Sequence, residues 1–181
     1  MTRQSAHPRF RVFALAAGIL AMVSAVAQAQ TFSVVYNFTG GNDGAQPDAG
    51  LTAYSGEFYG TASSGGKYGF GAVYGISATR SQHVLHNFAG GADGATPESG
   101  LLVLGKGFFG TTSAGGASNA GTVYEVGGTG GEKVLYSFTG GTDGASPQAA
   151  LIADSAGNLY GTTFSGAPVV LEQSLNYFTR R

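Results

Sequence analysis

A chain of 181 residues has the length of one domain. Its 32 glycines follow no Gly-X-Y period, which excludes collagen, and 43% apolar residues at a net charge of −1 exclude a disordered chain. Cysteine is absent, so no disulfide framework, zinc-cysteine site or thiol nucleophile can form, and a β-rich protein with many glycine turns remains.

The first segment reads as a targeting signal. Arg3, Arg9 and Arg11 lie in an N-terminal stretch free of acidic residues, an apolar run follows over residues 12–26, and two small-x-small cleavage signals end at Ala27 and Ala29. The apolar run is short for a membrane-spanning helix, which needs about 20 residues. Residues 1–29 are therefore expected to be a cleaved signal peptide, giving a secreted, periplasmic or cell-surface protein with no remaining membrane span. Cleavage lowers Lys+Arg from 9 to 6 and leaves Asp+Glu at 10, so the mature charge is near −4. That charge argues against a nucleic-acid partner, which selects a basic patch.

Three copies of one unit follow. V-Y-N-F-T-G-G-N-D-G-A-Q-P-D-A-G-L (35–51) aligns without gaps to residues 85–101 and 135–151. Phe38, Phe88 and Phe138 recur at a spacing of 50, as do Asp43, Asp93 and Asp143, and Pro47, Pro97 and Pro147. Further on, F-Y-G-T (58–61) matches F-F-G-T (108–111) and L-Y-G-T (159–162), and G-x-V-Y recurs at Gly71 and Gly121. The third copy carries one extra residue in D-S-A-G-N and stops matching at Gly166. The domain limits expected are a signal peptide over 1–29, a repeat domain over 30–166 with copies near 32–81, 82–131 and 132–166, and a divergent tail over 167–181.

Within each unit, four short β-prone runs are separated by turn residues. They are 33–38 (with 83–88 and 133–138), the surroundings of 51–54, 57–62 and 72–76. Helical periodicity is confined to the tail near 171–177. Four strands in about 50 residues is the size of a propeller blade.

The F-x-G-G-x-D-G-A-x-P, (L/F)-(Y/F)-G-T and G-T-V-Y-E blocks resemble those of the Gloeo-Verruco (GloVer) tandem repeat family of exported bacterial proteins. The resemblance covers about residues 32–166. It implies an exported repeat protein, and no enzymatic activity follows from it. The expected fold is all-β and β-propeller-like, incomplete or open, since about four blades are needed to close a ring. Three units leave three alternatives: a ring completed by oligomerisation, a truncated product, or closure as a three-fold barrel. The resemblance favours the propeller-like sheet assembly.

The repeated residues read as structural. Phe38, Phe88 and Phe138, and likewise Tyr59, Phe109 and Tyr160, are expected in the core against a neighbouring unit, with tyrosine hydroxyls reaching a turn or the surface. Asp43, Asp93 and Asp143 invite a calcium reading, but each loop offers one carboxylate and no D-x-[DN]-x-[DN]-G pattern exists. They are read as turn residues bonding nearby backbone N–H groups, and no metal or cofactor is expected.

Catalytic groups are sparse. His83 and His86, three apart in a strand, are expected on opposite faces. Asp48, Glu98 and Gln148 share one repeat position, Glu125 matches Gly75, and Asp154 lies in the inserted turn. Nothing pairs two carboxylates at glycosidase separation, and no G-x-S-x-G elbow occurs. The leading expectation is a non-catalytic binding or scaffolding protein, with a glycan as ligand or self-association through open sheet edges. The alternatives are a polysaccharide-active enzyme using loop carboxylates and a truncated repeat protein with no function alone.

Overall fold

The structure is a computed structural model describing residues 31–166 and 170–171. The signal segment and residues 172–177 of the proposed tail helix lie outside the described residues, while Leu171 lies in a strand. Three separate antiparallel sheets follow one another along the chain. The first contains β1 (Thr52–Tyr54), β2 (Glu57–Ala62), β3 (Ala72–Ile76) and β4 (Gln82–Asn87), each paired with the next. The second repeats that order with β5 (Leu102–Leu104), β6 (Gly107–Thr112), β7 (Thr122–Gly127) and β8 (Glu132–Ser137). The third holds β9 (Ile152–Ala153), β10 (Leu159–Tyr160) and β11 (Val170–Leu171), with β10 in the middle. Among the described residues no sheet closes on another, so these strands form separate antiparallel sheets and not a three-fold barrel.

Turn chemistry sets the registers. Tyr54 pairs with Glu57 across a two-residue turn in which Ser55 and Gly56 both have φ > 0. Such turns match the natural strand twist. In the third unit the extra residue makes this loop longer. Asp154 fastens it by accepting hydrogen bonds from the Ala156 and Asn158 backbones, Asn158 Nδ2 and the Tyr160 hydroxyl.

Alternation along the strands divides the side chains between two junctions. Phe108 faces backward onto Tyr59, with ring centroids 4.3 Å apart, while Phe109 belongs to the cluster shared with Phe138, Leu151 and Leu159. Every residue of β6 is buried, so the second sheet is covered on both faces. Each of these rings contributes about 1.5–3 kcal/mol on burial. Phe88 and Phe138 are buried, and Phe88 meets the Tyr124 ring of the next sheet at 5.0 Å, as Phe38 meets Tyr74 at 4.8 Å. Buried hydroxyls stitch the same junctions. Thr61 donates to the Ser99 carbonyl at 2.9 Å and Thr111 to the Pro147 carbonyl at 3.3 Å.

Three sequence expectations are corrected. Residues 33–38 have the composition of a strand but enter no ladder. Their equivalents β4 and β8 each pair with the strand before them, β3 and β7, and no such strand precedes this run among the described residues. Second, β11 takes the place of the third strand in the unit whose G-x-V-Y run is missing, pairing Leu159 with Leu171 and Tyr160 with Val170. Third, His83 and His86 share a face. A β-bulge between β3 and β4 sets His86 opposite Val73 and His83 opposite Gly75, two residues that lie on one side of β3. The extra residue in β4 cancels the parity that an odd spacing gives in a regular strand.

Candidate functional site

The second and third G-G-x-D-G loops leave β4 and β8 and lead to β5 and β9, and the first loop leads to β1. In the first loop Asp43 accepts hydrogen bonds from the Thr39 backbone N–H at 2.8 Å, the Thr39 hydroxyl at 2.5 Å and the Tyr36 hydroxyl at 2.9 Å. Asp143 repeats this with Thr139 and Tyr136. Donors gathered on the charged form lower a carboxyl pKa. The Thr139 hydroxyl above all, then its backbone N–H, hold Asp143 at about 2, and Asp43 is lowered in the same sense, chiefly by Thr39.

The middle loop differs. Ala89 replaces the threonine and His86 the tyrosine. Asp93 accepts from the Ala89 N–H at 2.6 Å, and His86 Nε2 stands 3.1 and 3.3 Å from its two carboxylate oxygens. A third group arrives from the next sheet. Glu132, the first residue of β8, brings a carboxylate oxygen to within 4.8 Å of both His86 and Asp93 ligand atoms. Glu132 Oε1 is buried and has no hydrogen-bond partner. Burial, followed by the negative charge of Asp93, pushes the Glu132 carboxyl well above the usual carboxylate range. At the first junction the corresponding residue is Gln82, whose Nε2 donates to the Asp43 carbonyl at 3.0 Å.

The three aspartates are thus not brought together; each serves its own loop. Sequence reasoning singled out Asp93 and His86 but missed Glu132. A signal was available: the Tyr36-to-His86 and Gln82-to-Glu132 changes occur one copy apart in aligned positions. What hid it was the sequence distance from Asp93 to Glu132, which only packing of β8 against the preceding loop removes.

The remaining candidates are dispersed. His83 Nε2 lies 3.8 Å from Glu57, itself bonded by the Tyr59 hydroxyl at 2.7 Å. Asp48 accepts from the Ser63 hydroxyl, while Glu98 buries an Oε2 with no partner and Asp154 is committed to its turn. Glu125 lies on β7 opposite Phe109 and Lys133. The gap between the second and third sheets, lined by Thr111, Val123, Phe138 and Pro147, holds about 10 Å³. That is room for at most one water.

No curated protein matches the chain. Residues 18–170 match the Gloeobacter/Verrucomicrobia repeat, a span that includes all three D-G-A-x-P loops, the first two sheets and all of the third except Leu171. Loop chemistry, strand order and inter-sheet packing recur across that span, and the chain is a member of the Gloeobacter/Verrucomicrobia repeat family.

Proposed function

We propose that this is an exported, non-catalytic scaffolding protein whose sheets act as propeller-like blades and associate with further units of the same kind. The observation carrying this reading is an apolar face on the first sheet. Leu51 is 53% exposed and Phe58 49% exposed. Their equivalents Leu101, Phe108, Leu151 and Leu159 are 1–5% exposed, each covered by the sheet before it. The covering surface is known from two internal examples, Tyr59 with Val73 and Phe109 with Val123. A surface complementary to Leu51 and Phe58 is therefore another repeat sheet, and the proposed occupant is a second copy of this chain. Covering these two side chains contributes about 1.5–3 kcal/mol each. The contact joins unlike faces, so it propagates head to tail and generates rings or filaments.

Light scattering on the untagged chain tests this. The expected result is an assembly of two or more chains that dissociates to monomer in Leu51→Arg/Phe58→Arg, with the thermal transition retained. A monodisperse wild-type monomer at high concentration would overturn it, leaving the face for a partner of another class, a glycan being first in line.

A further inference from the structure

We propose that His86, Asp93 and Glu132 form a divalent transition-metal site that staples the first sheet to the second. His86 comes from β4, Asp93 from the loop joining the two sheets, and Glu132 from β8, so a shared ion ties both outer strands to their connection. One imidazole nitrogen and two carboxylates are a ligand set suited to zinc. Calcium requires six to eight oxygens and is not matched by this set.

The geometry is near what zinc requires. The three donor atoms lie within 4.8 Å of one another, and the His86–Asp93 pair is already at 3.1 Å. Bonds of about 2.0–2.2 Å place tetrahedral ligand atoms about 3.4 Å apart, so small side-chain rotations complete the triad. His86 and Asp93 keep 16% and 21% of their side-chain surface open, which leaves a fourth position for water.

Two observations separate this cluster from an ordinary acidic patch. Glu132 Oε1 is buried without any hydrogen-bond partner, an arrangement that costs about 1–3 kcal/mol unless something satisfies it. The internal repeat supplies the second. At the preceding junction the same three positions hold Tyr36, Asp43 and Gln82, and hydrogen bonds alone complete that set: Tyr36 to the Asp43 carboxylate and Gln82 to its carbonyl. At the middle junction both flanking residues become ligands together. Replacing Gln82's counterpart by an acid places two carboxylates side by side and removes the amide donor, a change that a bound cation compensates.

The first junction also provides the decisive variant. His86→Tyr/Glu132→Gln rebuilds an arrangement that this chain already folds around. Calorimetric titration of the untagged chain with Zn²⁺ is expected to show one site per chain. Zinc is also expected to raise the melting temperature by several degrees at saturation. The double variant is expected to melt cooperatively without metal, to bind at least about 100-fold more weakly, and to lose the zinc-dependent shift. His83→Ser, which copies Ser33 of the first unit, is expected to bind as the wild type does. Absence of wild-type binding, undiminished binding in the double variant, or loss of binding in His83→Ser would each overturn the site.

Discussion

The Asp143 carboxylate shows how much one side chain organises here. It closes its loop on the Thr139 N–H and hydroxyl and reaches back to Tyr136. Because its folded pKa is about 2, below the ordinary 3.8, it stabilises the fold above about pH 4 and loses that contribution as pH falls toward 2. Asp154, held at about 2 by Asn158 and Tyr160, acts in the same direction. Thermal melts stepped from pH 5 to pH 2 are expected to show a steeper fall for wild type than for Asp143→Asn, which has no charge to lose there. Equal slopes would mean that the carboxylate is as well solvated in the unfolded chain as in the loop.

At the scale of the element, the glycine that opens each G-x-V-Y run is fixed by close approach. Gly71 has φ +98°, and a Cβ there would sit 2.5 Å from both the Ala62 carbonyl oxygen and Pro97 Cδ of the next unit. Gly71→Ala therefore meets a backbone clash and a disfavoured dihedral at once. It is expected to cost more than about 2 kcal/mol, read as a lowered denaturant midpoint. Ala at Gly56, where φ is +84° and open space surrounds the Cβ, carries only the dihedral cost and serves as the comparison. These contacts also explain what the sequence could reveal. The runs 57–62 and 72–76 were legible residue for residue, because alternation and flanking glycines are local signals. The run 33–38 looked equally like a strand, yet its ladder depends on a partner strand that no local pattern encodes. The shared face of His83 and His86 was illegible for a related reason, since the bulge beside Val73 exists only in the pairing. Glu132 escaped notice because its neighbours are far off in sequence and near only after the sheets pack.

For the whole molecule, stability is unevenly distributed because the sheets meet in series. The middle sheet has a neighbour on each side, while the first exposes Leu51 and Phe58. One repeat position thus has two environments, and matched truncations separate them. Leu101→Ala is expected to cost about 2–5 kcal/mol and Leu51→Ala within about 0.5 kcal/mol, measured by denaturant unfolding at dilutions where the chain is monomeric. Similar losses at both sites would mean that the first face is covered within the chain itself.

The loop that links consecutive sheets has a consequence for how such a chain can change its length. Thr96 donates its backbone N–H to the Phe70 carbonyl at 2.9 Å, and Ser146 does the same to Ala120 at 2.8 Å. These bonds join positions separated by the same interval in both units, as do the ring contacts of Phe38 with Tyr74 and Phe88 with Tyr124. A duplication or deletion of one 50-residue period between Phe38 and Phe138 therefore keeps the spacing of these backbone bonds and ring contacts. Unequal recombination between copies can lengthen or shorten this array while keeping the backbone register of its junctions.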